Sequence, residues 1–162
     1  MQLNVLLNTQ YSILNTQSMI KFVPLELVLP LRSKMLRNGA PESECVFPTD
    51  SFEGVFHLAY YVNDTEIATV ASFFPQTLEG NEGTGYQLRG MATDTPFFGK
   101  GYGATLVKYA VDYIKEAKAE YIWCNARTSA VDFYKKQGFE IVSEEFEIPG
   151  VGSHYIMILN LI

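Results

Sequence analysis

A chain of 162 residues suits a single domain, long enough to bury roughly two-thirds of the surface its unfolded form exposes. With 48% hydrophobic and 14% aromatic residues it reads as globular rather than disordered, and no apolar run approaches the roughly 20 residues that a membrane helix needs. The formal net charge of -6 argues against nucleic acid, whose binding rests on Lys and Arg neutralising phosphates, and the isolated Cys45 and Cys124 fit free thiols in a reducing cytoplasm.

Residues 1–18 are rich in Asn, Gln, Leu and Thr without clear periodicity, and the first basic residue is Lys21, so no charged secretory leader is evident. They read as an extension before a domain spanning 19–162. Ile20 to Val23 suggests a first strand. Leu25 to Arg37 carries Leu27, Leu31 and Met35 at helical spacing, with Pro30 either kinking the helix or marking its true beginning. Asn38-Gly39 ends it, and Pro41 to Gly54 reads as a long surface loop.

Val55 to Val62 and Glu66 to Phe74 are rich in β-branched and aromatic residues and flank Asn63-Asp64-Thr65, a short hairpin signal. Pro75 stops the second run, and Gln76 to Gly85 is a glycine-rich loop before a third strand from Tyr86. There the alternation slips: Tyr86 and Leu88 keep step, but the next apolar residue is Met91, so one residue at Arg89-Gly90 is extra. A β-bulge is expected at that point. Thr93 to Pro96 has turn and helix-start chemistry, and the glycines Gly99, Gly101 and Gly103 run into a helix with Leu106, Val107, Ala110, Val111, Ile114 and Ala117 on one stripe.

Tyr121 to Ala126 is a short buried strand, expected to pair in parallel with the Tyr86 strand and so close a right-handed β-α-β crossover. Thr128 or Ser129 should cap a short helix through Ala130, Phe133 and Tyr134 that stops at Gly138. Phe139 to Ile148 reads as a strand, Pro149 to Gly152 as a turn and His154 to Leu161 as a last strand. The fold class is α+β, with a mixed, mostly antiparallel sheet and flanking helices.

The glycine stretch carries the chemistry. The first N–H groups of a helix have no intrahelical acceptor and face the positive end of its dipole, so glycines that allow close backbone approach build an anion site. A phosphorylated ligand is implied. Gly99-Lys100-Gly101-Tyr102-Gly103-Ala104 formally satisfies the relaxed dinucleotide fingerprint, but an antiparallel meander precedes it and Glu120 lies before the next strand rather than after it. No Walker loop is present, since no Gly-Lys-Ser/Thr has the required spacing.

Phe98-Gly99-Lys100-Gly101-Tyr102-Gly103 after a bulged strand resembles the Gln/Arg-x-x-Gly-x-Gly/Ala signature of the GNAT superfamily of N-acetyltransferases. The resemblance extends to Leu88-Arg89-Gly90-Met91-Ala92, to Trp123-Cys124-Asn125-Ala126-Arg127, and to Ala130, Phe133-Tyr134 and Gly138-Phe139. It covers 55–160 and, through Leu31-Arg32 and Met35-Leu36-Arg37, the chain from Met19. Phe98 departs from the family pattern and removes one side-chain contact to a pyrophosphate. The resemblance implies acetyl-coenzyme A as co-substrate, with its pyrophosphate on the amides of Gly99, Gly101, Gly103 and Ala104, Phe98 and Tyr102 in the same loop and Lys100 nearby. The bulge would leave groups around Met91, Ala92 and Thr93 free for the pantetheine arm, with the N–H of Met91 at the acyl oxygen.

By the same resemblance Tyr134 is the group that donates to the leaving thiolate, whose pKa is about 8.5, and Asn125 bonds the coenzyme amides or holds Tyr134. Direct attack by an amine is implied, on a small molecule or an amino acid, with the acidic surface weakly favouring a cationic acceptor. The alternatives are a non-catalytic acyl-coenzyme A binding domain and a dinucleotide-dependent oxidoreductase. His57 and His154 are bases by type but read first as structural or substrate-lining residues, Glu145 and Glu147 as solvated, and Cys124 as an inert core thiol. No residue cluster has metal-ligand spacing, no nucleic-acid or membrane partner is expected, and the chain is compatible with a homodimer.

Overall fold

The computed structural model describes residues 19–162; the extension read at 1–18 lies outside the described residues. The strands are β1 (Ile20–Val23), β2 (Phe56–Tyr61), β3 (Ile67–Pro75), β4 (Gly85–Thr93), β5 (Tyr121–Arg127), β6 (Glu140–Ile141), β7 (Phe146–Ile148) and β8 (Gly152–Asn160). The helices are α1 (Leu29–Leu36), α2 (Tyr102–Glu116) and α3 (Val131–Lys136), with short 3-10 turns between several elements. The sheet runs β1-β2-β3-β4-β5-β8-β6, with β7 also on β8, and every pairing is antiparallel except β4 with β5. Among the described residues no helix is long and apolar enough to cross a membrane.

Both faces of the central strands are covered, which is why β3 is buried almost throughout rather than alternating. On one face Ala71, Phe73 and Leu88 pack with Leu106, Val107, Ala110 and Ile114 of α2. On the other, Val70, Ala59 and Ala92 pack with Leu31 of α1. Leu88 and Ala92, four residues apart in one strand, should share a face, yet they lie in opposite clusters. The extra residue explains it: β4 keeps register with β3 at Ser72↔Arg89 and again at Val70↔Ala92, so β4 spends three steps where β3 spends two. Gly90 sits there with φ +64, in the left-handed region.

What holds the bulge comes from the stretch read as a surface loop. Pro41 to Gly54 instead forms two 3-10 turns, Glu42–Cys45 and Pro48–Ser51, and buries Cys45, Phe47 and Thr49 against α1 and the sheet. Its fixed point is Arg32, fully buried, which grips Asp50 with two donors, Nη1 to Oδ2 at 2.6 Å and Nη2 to Oδ1 at 2.8 Å. Arg32 also donates to the Cys45 carbonyl at 3.1 Å and to Ser72 Oγ at 2.8 Å. Burial alone would raise the Asp50 pKa, but the hydrogen bonds from Arg32 and from the Phe47 N–H hold it below the ordinary carboxylate value. Next to this pair, His57 Nδ1 meets Ser72 Oγ at 2.6 Å, and burial pushes the imidazole pKa down, so His57 is a neutral structural residue.

Three further expectations change in detail. Pro30 falls in the first turn of α1, so the proline marks the beginning of a helix that starts at Leu29, and Leu25–Leu27 is a separate 3-10 turn. Neither Thr128 nor Ser129 caps α3; Thr128 Oγ1 bonds Ser153 Oγ at 2.8 Å and the helix begins behind Ala130. The segment from Phe139 to Ile148 is two short strands, since both β6 and β7 pair with β8 and a bend must separate them.

A methyl group on Gly90 would stand 2.9 Å from Arg32 Nε and 2.9 Å from the Phe47 ring, in a conformation that L-residues avoid. Gly90→Ala should therefore cost about 2–3 kcal/mol, measured by chemical denaturation, where an ordinary exposed substitution costs a few tenths.

Candidate active site

Beyond Gln87↔Trp123 the parallel pairing of β4 with β5 stops, although each strand continues. β4 stays on β3 as far as Thr93 and β5 stays on β8 as far as Arg127, so the sheet opens into a cleft between them. The bulge produces this: a residue added to β4 turns its end away from its parallel neighbour.

Two cavities of about 450 Å³ each occupy the two ends of the cleft, within the size range of small-molecule sites. The first is lined on the α2 side by the glycine loop. Of the residues expected there, Gly99, Gly101, Gly103 and Ala104 line it, as do Phe98 and Tyr102, and Met91 and Thr93 border it from the strand. Gly99 and Gly101 take φ of +73 and +79, and a Cβ on either would meet no protein atom within 4 Å. Among the described residues the N–H groups of Gly99 to Ala104 have no hydrogen-bond acceptor; the first helical bond here is Thr105 N–H to the Gly101 carbonyl. The helix is fixed in place by Tyr102, whose ring stacks on Tyr60 of β2 at 4.4 Å. Gly103 is required for a different reason, since a Cβ there would lie 2.9 Å from Met91 Cε. These unpaired amides beside open space fit a diphosphate, and the unpaired edges of β4 and β5 fit an amide-bearing arm.

Three expected residues lie elsewhere. Ala92 is buried against α1, leaving only its backbone to face a ligand. Lys100 is exposed and does not line the cavity; Lys136, at the end of α3, does. Asn125 lines the second cavity, on the far side of β5, and among the described residues makes no bond to Tyr134. Lys136 was not legible because α3 reaches the loop only through tertiary packing.

The second cavity is walled by α1, the Phe47 turn, β4, β5 and β8, and includes Arg37, Arg89, Arg127 and His154. His154 Nδ1 lies 2.6 Å from the Gly152 carbonyl oxygen, which can only accept, so Nδ1 carries the proton and Nε2 of the neutral ring is an acceptor. The two cavities share three residues, Met91, Ala130 and Tyr134. Tyr134 is buried and its hydroxyl contacts Met91 Sδ at 3.8 Å. Burial, with a smaller effect of Cys124, raises its phenol well above the ordinary value. A phenol raised in this way stays protonated, so its hydroxyl is a hydrogen-bond donor at the junction of the two cavities. Cys124 is buried, and burial pushes its thiol up to about 12, so it stays a protonated core thiol.

A cleft opened by a bulged strand, with an amide-lined helix start at one end and a second cavity at the other, defines an acyltransferase architecture. The chain belongs to the GNAT acetyltransferases: the profile described as "Acetyltransferase (GNAT) family" matches residues 30–139. It is 35% identical over 143 residues to the uncharacterized N-acetyltransferase YitI of Bacillus subtilis (strain 168), spanning 88% of this chain and 95% of that one. In fold it is similar to FeeM, an N-acyl amino acid synthase from uncultured soil microbes, with TM-score 0.71 and 11% identity over 88% of this chain and 90% of that one. It is also similar to an aminoglycoside 6'-N-acetyltransferase complexed with coenzyme A, with TM-score 0.64 and 15% identity over 88% and 97% of the two chains. The enzyme is thus an acyl-coenzyme A-dependent acetyltransferase, which removes the oxidoreductase alternative.

Gly101→Val should abolish coenzyme A binding in calorimetry while the protein stays folded, at a cost of about 2 kcal/mol for a β-branched residue in the left-handed region, because the added Cβ meets no protein atom within 4 Å. Micromolar binding retained by this variant would show that the loop does not hold the phosphates.

Proposed function

We propose that residues 19–162 transfer an acetyl group from acetyl-coenzyme A to a primary amine of a small molecule or amino acid by direct attack. The observation that carries this reading is the meeting of the two cavities at Met91, Ala130 and Tyr134, which gives donor and acceptor one point of contact where, among the described residues, no Ser, Thr or Cys is shared by the two. Acetyl-coenzyme A supplies an acyl group activated as a thioester.

The amides of Gly99, Gly101, Gly103 and Ala104 hold the diphosphate, with Lys136 as the nearby cation and the exposed Phe98 contributing no polar contact. Backbone groups of β4 from Met91 to Thr93 hold the arm, and the Met91 N–H faces the acyl oxygen as charge develops on it. His154, through Nε2, takes the proton that the amine must lose to become a nucleophile. The amine nitrogen bonds to the acyl carbon as the carbon–sulfur bond breaks, and Tyr134 donates a hydrogen bond to the departing sulfur. The sulfur leaves as a thiolate that takes a proton from solvent, and His154 releases to solvent the proton it took from the amine, so atoms and charge balance.

Incubating the chain with acetyl-coenzyme A and a panel of amines should release thiol; no release from any amine would refute the reading. Tyr134→Phe should lower kcat by about 10² with little change in coenzyme affinity, and an unchanged kcat would reduce Tyr134 to a packing residue. His154→Gln should lower kcat/KM by about 10² while leaving coenzyme A affinity in calorimetry unchanged. A residue that only supports β8 would lower the denaturation midpoint and leave kcat/KM of the folded protein in place.

A further inference from the structure

Although the whole chain is acidic, the wall of the second cavity contains four arginines, Arg32, Arg37, Arg89 and Arg127, and no Asp or Glu. Arg32 is neutralised by Asp50 behind the wall. The other three have no carboxylate partner among the described residues, and residues 1–18 contain neither Asp nor Glu. Arg127 is held in place by donating to the Leu36 carbonyl at 3.3 Å. Arg89 is half-buried with its guanidinium carbon 4.1 Å from the centre of the Phe47 ring, and Arg37 approaches the same ring at 5.9 Å.

Holding the half-buried Arg89 beside Arg32, Arg37 and Arg127 disfavours its charge unless an anion offsets it, since Asp50 is already engaged by Arg32. Burial, together with the charges of Arg32 and Arg37, lowers the Arg89 pKa against the opposing pull of Asp50. The wall is also short of acceptors: the buried side-chain atoms lacking a hydrogen-bond partner among the described residues are Arg32 Nε and Thr49 Oγ1, and both residues belong to it. Each of these facts describes a site that favours an anion able to accept several hydrogen bonds, and a planar guanidinium fixed on an aromatic ring suits a carboxylate.

Resting on the transferase reading above, we infer that the acceptor is an amine that also bears a carboxylate, bound with that carboxylate at Arg89 and Arg37 and its amine toward Tyr134. The same charges aid the chemistry. An ammonium among cations is disfavoured relative to the neutral amine, and the neutral amine is the nucleophile. A diamine or polyamine acceptor, which the net charge of -6 suggests, meets repulsion in this cavity instead.

The test compares amino acids with their carboxamides and with the amines left by decarboxylation, in two measurements. In thiol-release assays the acids should show KM values at least tenfold below the matched amides. Arg89→Gln should raise KM for the acids on the order of ten- to a hundredfold and close the gap to the amides, with Arg37→Gln, on an exposed position, giving a smaller rise in the same direction. In calorimetry with the coenzyme A-loaded protein, N-acetylated acids should bind in preference to their amides. Equal or better use of amides or decarboxylated amines, or failure of any carboxylate-bearing ligand to bind, overturns the inference. Thiol release without acid preference sinks this inference alone, whereas acid-selective binding without thiol release sinks the transferase reading and leaves the carboxylate site standing.

Discussion

The site depends on a single extra residue in β4 and on what keeps it there. Gly90 alone could be a local irregularity; its conformation is held because Arg32, Phe47 and Asp50 form a packed wedge directly over it. Burying a guanidinium costs several kcal/mol, recovered largely through its hydrogen bonds, and the two Nη groups of Arg32 make two bonds to Asp50, one to Cys45 and one to Ser72, leaving Nε alone without a partner among the described residues. The turn carrying Asp50 thus belongs to the core, and the bulge, the end of pairing with β5 and the two cavities follow from the same contact.

The cleft has two ends because the sheet separates only in part. Pairing from Gly85 to Gln87 joins β4 to β5 at their beginnings, so the gap widens toward their carboxyl ends. There α2 presents its start on one side and α1 with the Phe47 turn closes the other. Tyr134 lies where these sides meet. Its burial keeps the phenol protonated, which suits a hydrogen-bond donor and not a base, while the neighbouring Cys124, with its thiol pushed up to about 12, is unsuited to carry an acyl group.

Net charge is a poor guide to the second cavity because exposed charges more than about 10 Å away are screened by salt, whereas charges in a partly buried wall act on each other strongly. The acidic residues that give the chain its sign do not line that cavity. What a ligand meets there is set by Arg37, Arg89 and Arg127.

The sequence by itself determined the order of elements, the bulge and the glycine-loop helix, since each rests on local rules: alternation slipping by one residue between Leu88 and Met91, glycines where φ is positive, and an apolar stripe on α2. It misread Pro41 to Gly54, whose Pro, Ser and Glu look solvated residue by residue, because Asp50 is buried only through a partner 18 positions away. Lys136 and the gathering of arginines around the second cavity were out of reach for the same reason, and His154 was read only as far as a structural or substrate-lining residue. They come from α1, β4, β5, α3 and β8, and only tertiary packing decides which of their side chains face one space, because no local propensity encodes a charge balance assembled from elements so far apart in the chain.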